Sequence, residues 1–258
     1  VNFANNKYVL LDATEPYSTP NILPVRALNW NGRKVTKGGS SSWVKLTSSN
    51  LALEENNISV KISEDGIVSG LLRTKYDNLN AQNYRRAYNH LKEDEVIKRT
   101  EEKHNIEIDN FRITNQNDLG KPLSLMAKFS SEDLVEEING KLYINPLLFL
   151  TQNENPFKSE ERKFPVDFAS PWKDTNKVSI QIPEGYKVEF SPETLAIGLP
   201  DELGLFTLQI TVNGNKINIQ SILQFNSAII TPEYYATLKE FYGKIVAKQT
   251  EKIILVKQ

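Results

Sequence analysis

Residues 206–225 read Phe206-Thr-Leu-Gln-Ile-Thr-Val-Asn-Gly-Asn-Lys-Ile-Asn-Ile-Gln-Ser-Ile-Leu-Gln-Phe225. Apolar and polar residues alternate on both sides of Asn213-Gly214, which is typical of strands that bury one face. An Asn-Gly pair between two such runs is the strongest short-range signal for a β-hairpin. This stretch therefore predicts two antiparallel strands joined by a tight turn.

The same alternation occurs elsewhere in the chain. Ile58, Val60 and Ile62 alternate with polar residues before a turn at Glu64-Asp65-Gly66, which predicts a second hairpin. Further strands are expected at residues 106–114, 123–129, 141–144, 177–182 and 253–256. Short strands joined by turns favour an antiparallel β-sandwich, and the absence of β-α-β alternation makes a parallel sheet unexpected.

Two segments have helical periodicity instead. Residues 81–103 contain neither Pro nor Gly, and Tyr84, Tyr88 and Leu91 fall at helical spacing, so we predict one helix that weakens after Leu91. Residues 232–248 carry an apolar stripe after Pro232, with Thr231 as the expected N-cap. The overall prediction is a mainly β fold with two inserted helices.

Composition sets limits on function. The 258 residues are 39% hydrophobic and 24% charged, which is ordinary for a globular protein. The net charge is −1, from 31 basic and 32 acidic residues that are interspersed, which argues against nucleic acid or an anionic membrane as a partner. No apolar run approaches the roughly 18 residues of a membrane-spanning helix. The absence of Cys excludes disulfides, thiolate catalysis and Cys-ligated zinc.

A domain boundary is expected near residue 45. Prolines punctuate the first part of the chain, and Thr36-Lys-Gly-Gly-Ser-Ser-Ser42 predicts a flexible connector before a new domain opens at Trp43-Val-Lys-Leu46. We therefore expect residues 1–45 to be the tail of a preceding domain and its connector. Residues 46–258 would form the β domain.

The beginning of the chain predicts a hairpin. Tyr8-Val-Leu-Leu11 is a β-prone run, residues 4–7 are its expected turn, and Val1-Asn-Phe3 is its expected partner strand. A strand of three residues is unusually short for the first strand of a domain. We therefore expect this chain to be the C-terminal part of a longer protein, cut within a folded domain.

That region also carries a family resemblance. Tyr8-Val-Leu-Leu-Asp-Ala-Thr-Glu15, followed by Asn21-Ile-Leu-Pro-Val-Arg-Ala-Leu-Asn29, resembles the end of the transglutaminase-like domain in certain large exported proteins of Gram-negative bacteria. That superfamily uses a Cys nucleophile, a His base and an Asp that orients the His, in this chain order. Asp12 matches the third position, and the resemblance places the His shortly before Val1.

The rest of the triad is missing from this chain. There is no Cys, and the two histidines, His90 and His104, lie far downstream of Asp12. Since a Cys–His pair cannot act without its thiolate, we expect no enzyme activity from this chain. From its local sequence alone, Asp12 also fits a turn former that hydrogen-bonds its own backbone.

Three later stretches extend the resemblance, namely residues 155–168, Ile182-Pro-Glu-Gly-Tyr-Lys-Val188 and the expected helix at 235–249. The resemblance implies a non-catalytic structural or binding module that flanks a transglutaminase-like cysteine hydrolase or transferase core. It also implies a periplasmic or cell-surface location and no cofactor. The expected partners are the preceding domain of the same protein and a protein or glycan ligand, without nucleic acid and without membrane insertion.

An independent activity is the alternative hypothesis. Glu160, Glu161 and Asp167 could form a carboxylate group for glycan hydrolysis or Ca²⁺ binding. Against this, the spacing of a Ca²⁺-binding loop is absent. The aromatic residues and prolines of the same stretch fit a long loop anchored on the β domain, with the charges in solvent.

Other candidates come from individual residue types. Trp30, Trp43 and Trp172 could form a carbohydrate-stacking platform, although large aromatic residues are more often part of a core. His90 and His104 are too far apart in sequence for a known metal-ligand spacing, and we expect no metal site. Arg85-Arg86 suggests either an anion-binding patch or a solvated helix face.

Overall fold

The computed structural model describes residues 8–48 and 50–258. The predicted strand Val1–Phe3 and turn at 4–7 lie outside these residues. Residues 9–11, which were predicted as a strand, are irregular in the structure. They are held instead by Asn21, whose backbone and side chain both hydrogen-bond the backbone of Leu10, at 2.9 and 3.0 Å.

The regular elements of the described residues follow in chain order. The helices are α1 (Asn78–Tyr88), α2 (Glu93–His104) and α3 (Tyr235–Thr250). The strands are β1 (Trp30–Val35), β2 (Ser41–Leu46), β3 (Ala52–Ile62), β4 (Val68–Asp77), β5 (Glu107–Thr114), β6 (Leu123–Ser131), β7 (Val135–Ile138), β8 (Lys141–Ile144), β9 (Val166–Asp167), β10 (Trp172–Gln181), β11 (Tyr186–Phe190), β12 (Leu195–Gly198), β13 (Gly204–Asn213), β14 (Lys216–Phe225), β15 (Ile229–Ile230) and β16 (Ile253–Lys257).

Most of these strands form two sheets. The larger sheet has eight strands in the order β12-β13-β14-β10-β3-β4-β6-β5, and the smaller has four in the order β11-β16-β8-β7. The prediction of a mainly β fold with inserted helices is confirmed. The pairing is antiparallel except between β3 and β10, which run parallel in the middle of the large sheet. That pair joins segments distant in sequence, which local alternation does not reveal.

The predicted hairpin at residues 206–225 is present as β13 and β14. Its turn is at Gly214, whose φ of 59° is the left-handed conformation that glycine adopts without strain. One face of the hairpin is apolar, and Phe206, Leu208, Ile217 and Phe225 are fully buried on it. They belong to a core that also includes residues of the four-stranded sheet, α1 and α3.

The predicted helix over residues 81–103 consists of two helices. α1 ends at Tyr88, and α2 begins at Glu93 after a short turn. The Glu95 side chain accepts a hydrogen bond from the backbone N–H of Lys92 at 3.2 Å, which satisfies a donor that precedes the first turn. This local capping starts a second helix where the apolar stripe of the first one ends.

The helix predicted over residues 232–248 is present as α3, preceded by a single 3₁₀ turn at Pro232–Tyr234. The Thr231 side chain makes no capping hydrogen bond to the backbone, contrary to the expectation. No helix within residues 8–48 and 50–258 combines the length and apolarity needed to cross a membrane.

The first part of the chain packs on the β domain. Leu23 and Leu28 form a small apolar cluster with Ala52, Leu79 and Ala169. The stretch at 36–42, predicted as a connector, forms the turn of the β1–β2 hairpin and the start of β2. Trp43-Val-Lys-Leu46 thus pairs with β1, while the boundary between residues 1–45 and 46–258 stays a prediction.

Candidate functional site

Asp12 lies in a local turn. Its carboxylate accepts hydrogen bonds from the backbone N–H and the hydroxyl of Thr14, at 2.8 and 2.6 Å, and from Arg26 Nη2 at 3.0 Å. The Thr14 hydrogen bonds and the Arg26 charge lower the pKa of Asp12. These contacts are the turn-forming geometry considered above, and the place of Asp12 in a catalytic triad stays a prediction.

The carboxylates proposed for glycan hydrolysis do not form a pocket. Glu160 and Glu161 are exposed on an irregular loop, and Asp167 accepts hydrogen bonds from Asn29 Nδ2 and from the backbone N–H of Ala169, both at 2.7 Å. Within the described chain, no three His, Cys, Asp or Glu side chains are grouped so that they could hold a metal ion. Asp167 therefore has a structural role.

The aromatic residues of the same loop behave differently from one another. Phe157 is buried against Tyr235 and Tyr242, with ring centroids 5.8 and 5.0 Å away. Phe168 packs on Phe225 at 4.7 Å. Phe164 is 77% exposed, so the loop is anchored at its two ends and not in its middle.

The tryptophans do not form a stacking platform. Trp30 and Trp43 are both exposed, but Trp30 pairs with Leu46 and Trp43 with Arg33 across the β1–β2 hairpin. Because side chains alternate along a strand, the two rings lie on opposite faces of the hairpin. Trp172 stacks on Phe225 at 5.0 Å and borders the core.

The charged residues singled out in the helix predicted at 81–103 differ in burial. Arg85 is 2% exposed and donates hydrogen bonds to the backbone carbonyls of Asn115, Gln116, Asp118 and Lys121. It therefore fixes the loop between β5 and β6, which corrects the expectation of a solvated or anion-binding Arg85. Arg86 and His90 are exposed.

His104 packs on the ring of Phe149, 4.7 Å away. Burial and the neighbouring Lys103 charge lower the pKa of His104 to about 4.

The residues that converge most clearly belong to the large sheet. Its two faces differ in chemistry because side chains alternate along each strand. One face carries the apolar core and is covered by helices and by the smaller sheet. The other carries mostly polar residues that are exposed or half-buried, together with the half-buried Leu71, Met126 and Ile222, and we call it the open face.

The open face is rich in cations. The strand registers place Lys61, Arg73, Lys75, Arg112, Lys128, Lys173, Lys177 and Lys216 on it. The acidic residues in the same rows are Glu55, Asp77 and Glu107, and Asp109 at the irregularity of β5 lies 3.8 Å from Lys128. Lys177 pairs with Glu55 at 3.0 Å, whereas neither Arg73 nor Arg112 forms an ion pair with any described residue.

Two adjoining depressions cross the open face. Their volumes are about 380 and 490 Å³, and both are lined by Asn57 and Arg73. Amide and hydroxyl side chains, such as Gln209, Gln220 and Thr211, line the first, and Arg112 and Lys75 line the second. A polar groove with unpaired arginines can bind an elongated anionic ligand through charge-assisted hydrogen bonds.

The covered face contains an unexpected polar patch. Glu54 of β3 lies beside Asp174 of β10 and Tyr76 of β4, and in the next row Asn56 lies beside Asn176. Asn56 Nδ2 donates to Glu54 Oε1 at 3.0 Å and to Asn176 Oδ1 at 2.9 Å. Thr74 Oγ1 donates to Asn56 Oδ1 at 2.6 Å and so fixes the orientation of the amide.

This patch borders a cavity of about 300 Å³ beneath α1 and α2, which we call the tyrosine cavity. Glu54, Asn56 and three tyrosines, Tyr76, Tyr84 and Tyr88, line it. The ring centroid of Tyr84 is 5.1 Å from that of Tyr76 and 4.6 Å from that of Tyr88. The Tyr84 hydroxyl is buried and has no hydrogen-bond partner among the described residues.

The electrostatics of the tyrosine cavity are unusual. Desolvation and the Glu54 charge raise the pKa of Asp174 to about 8. Desolvation and the same glutamate raise the pKa of Tyr76 well above its ordinary value. In the described part of the chain, neither Glu54 nor Asp174 forms an ion pair, so two adjacent carboxyl groups lack a cation.

Sequence reasoning missed this patch, although a signal was present. Residues 54–60 read Glu-Glu-Asn-Asn-Ile-Ser-Val, and residues 174–180 read Asp-Thr-Asn-Lys-Val-Ser-Ile. Both follow the pattern acid-x-Asn-x-aliphatic-Ser-aliphatic, and the structure pairs them residue by residue in parallel. The shared pattern indicates that the two strands present the same side chains to the same face.

Known proteins offer limited similarity. Residues 140–255 match the family described as a domain of unknown function with a solved structure, DUF3858. No curated protein matches the chain. A solved structure of a candidate protease from Parabacteroides distasonis ATCC 8503 is similar at 15% identity and a TM-score of 0.43. That match covers 86% of this chain and 30% of the other, so this chain spans less than a third of that protein. By sequence, residues 140–255 are thus similar to a domain whose function is unknown.

Proposed function

We propose that this chain is a non-catalytic binding module that flanks a transglutaminase-like cysteine hydrolase or transferase core in an exported protein. The resemblance of residues 8–29 to the end of a transglutaminase-like domain supports the proposal of such a neighbouring core. Because this chain contains no Cys, the proposal places the nucleophile in that core and not in this chain. The match of residues 140–255 to a domain of unknown function is compatible with an accessory role. In this proposal the preceding domain, which belongs to the same polypeptide, is one partner of the module.

The open face carries the proposal of binding. It combines a groove, unpaired arginines and a set of amide and hydroxyl groups, all on one face of the sheet. Isolated surface lysines do not indicate a binding site. Here, however, cations outnumber acidic residues on one face of the sheet, although the net charge of the chain is −1. We therefore propose an anionic ligand.

We propose an acidic glycan as that ligand. The groove crosses the strands on the face of the sheet, where side chains and not backbone groups are available. An extended peptide would instead use the hydrogen-bonding groups of a strand edge. Arginine and lysine side chains match the carboxylates of an acidic sugar, and the amides of Asn57, Gln209 and Gln220 match its hydroxyl groups.

Titration calorimetry with polygalacturonate tests this proposal. We expect binding that weakens with added salt, and at least a ten-fold loss of affinity in the double variant Arg73→Ala/Arg112→Ala. The matched control is Arg86→Ala/Lys98→Ala, which removes the same charge from exposed helical positions and leaves affinity unchanged. Titration with dextran, a neutral polysaccharide, tests whether binding requires the acidic groups of the glycan.

Two results would contradict the assignment. Equal affinity of the wild type and the Arg73/Arg112 variant would exclude the open face as the site. Tighter binding of poly-glutamate than of polygalacturonate would point to an acidic protein partner in place of a glycan.

The same proposal places the protein in the periplasm or at the cell surface. The family resemblance supports this location, and acidic polysaccharides are accessible there. Cell fractionation with an antibody against the β domain tests it, and recovery with a cytoplasmic marker would contradict it.

A further inference from the structure

We propose that the tyrosine cavity binds a small organic ammonium ion against Glu54 of its wall, with Asp174, beside Glu54 on the neighbouring strand, adding to the negative charge there. This inference goes beyond the proposed function, since the cavity lies on the opposite face of the sheet from the groove. Neither site depends on the other.

The acidic pair beside the cavity lacks a counter-charge among the described residues. Glu54 and Asp174 are register neighbours on adjacent parallel strands, whose backbones lie about 4.8 Å apart. Two carboxyl groups this close in a partly buried site repel each other when both are ionised. Lys103 lines the mouth of the cavity but is exposed and makes no ion pair with Glu54. A bound cation would allow both groups to ionise.

The Glu54 carboxylate is a preorganised hydrogen-bond acceptor. Asn56 uses both hydrogens of its side-chain amide, one on Glu54 Oε1 and one on Asn176 Oδ1. The glutamate is thereby held in one orientation, and its second oxygen makes no hydrogen bond to the described residues. Side chains fixed in this way lose little entropy when a ligand binds.

One wall of the cavity is aromatic. Tyr84 is 9% exposed, lines the cavity, and has a hydroxyl group without a partner. Together with Tyr76 and Tyr88 it provides π surface, which attracts cations and is a common feature of sites for organic ammonium groups. A metal ion would require more oxygen ligands and no aromatic wall. The volume of about 300 Å³ also suits a small organic molecule better than a bare ion.

Binding should release a proton. In the empty cavity, Asp174 retains its proton near neutral pH because burial and Glu54 raise its pKa to about 8. The titratable groups that interact with Asp174 are Glu54, Tyr76 and Tyr242 of α3, while Tyr84 and Tyr88 line the cavity beside Glu54. On α2, Lys103 and His104 line the cavity, and burial lowers the pKa of His104 to about 4, so His104 is neutral. A cation beside Asp174 favours the carboxylate and displaces its proton.

Titration calorimetry with butylammonium and tetramethylammonium chloride at pH 7 tests the inference. We expect saturable binding of at least one salt, with an apparent enthalpy that differs between phosphate and MOPS buffers because a proton is released, and neither buffer is itself a simple ammonium cation. Glu54→Gln and Asp174→Asn should each weaken binding at least ten-fold. Glu55→Gln is the matched control, because it removes the same charge from the same strand on the open face.

The results of these titrations decide between the inference and its alternatives. Absence of binding by both salts to the wild type would overturn the inference, as would equal weakening by Glu55→Gln and Glu54→Gln. Calcium binding that excludes the ammonium salts would replace the organic cation by a metal ion. Both cavity variants are isosteric, and circular dichroism of each confirms that loss of binding is not loss of folding.

Discussion

The two faces of the large sheet use neighbouring residues of the same strands in opposite ways. On the open face, Glu55 lies beside Lys177, which donates a hydrogen bond to it and lowers its pKa. On the covered face, Asp174 forms no ion pair with the described residues, and burial and the Glu54 charge raise its pKa to about 8. The acidic side chains have similar intrinsic chemistry, so solvent and partners decide their charge. Glu55 is therefore compensated by a partner in solvent, whereas Asp174 is compensated by holding a proton.

The largest expected difference between the faces concerns packing. Phe225 is fully buried and contacts the rings of Phe168, Trp172, Phe241 and Tyr242. We expect Phe225→Ala to reduce the free energy of unfolding by about 3–5 kcal/mol, since it leaves a cavity among these rings. Urea denaturation measures this effect.

Ile222→Ala on the open face of the same strand is the matched control for that prediction. It should cost less than half as much, because a half-buried side chain leaves no closed cavity. An equal loss in both variants would contradict the assignment of the faces.

The adjacent arginines of α1 provide the next comparison. Arg85→Ala should lower the free energy of unfolding by about 2–4 kcal/mol, because the backbone carbonyls that Arg85 now satisfies would lose a charged donor. Arg86→Ala should change it by less than about 0.5 kcal/mol, as for other exposed positions. Thermal unfolding of both variants decides whether burial is the cause.

The buried acid should give the protein a pH dependence. With a folded-state pKa of about 8 and an ordinary value of 3.8, Asp174 holds a proton in the folded state that the unfolded state has lost between these pH values. Stability should therefore fall as pH rises, by at most about 1.4 kcal/mol per pH unit. His104, with its pKa lowered from 6.5 to about 4, has the opposite effect below pH 6.5.

The window from pH 6.5 to 8 thus isolates Asp174 from His104. Asp174→Asn should abolish the fall in stability there and should be the more stable protein at pH 8. Chemical denaturation across this window measures the difference. An unchanged slope in Asp174→Asn would show that another group titrates.

The smallest effect is expected for the ion pair of the open face. Lys177 and Glu55 are 50% and 40% exposed, so solvent screens their attraction. Lys177→Ala should cost less than about 1 kcal/mol. A double-mutant cycle with Glu55→Gln measures the coupling, and a value above that limit would indicate that the open face is less solvated than its exposure suggests.

Local patterns predicted local structure. The hairpin at residues 206–225 was predictable because Asn213-Gly214 and the flanking alternation are contiguous in the sequence. The parallel pairing of β3 with β10 was not, because alternation shows which face is buried but not which strand lies alongside. The break between α1 and α2 was only suggested by a weakening apolar stripe.

The candidate sites were less accessible to sequence reasoning. Net charge sums over both faces of the sheet, so a value of −1 concealed a basic open face. Glu54 and Asp174 are 120 residues apart in sequence, and their proximity depends on the parallel pair. Charged and aromatic residues that stood out in the sequence, such as Glu160 and Trp30, proved to be isolated.

The parallel pair of β3 and β10 also has a consequence for how the chain folds. One half of the large sheet, strands β3 to β6, comes from residues 52–131. The other half, β10 and β12 to β14, comes from residues 172–225. Each half can form its own antiparallel strand pairs early. The pairing of β3 with β10 joins the two halves and comes later, because it must bring together residues that are far apart in the sequence. During synthesis, β3 therefore emerges as an unprotected edge that waits for its partner. Two successive glutamates, Glu54 and Glu55, give that waiting edge a charge that discourages pairing with other chains.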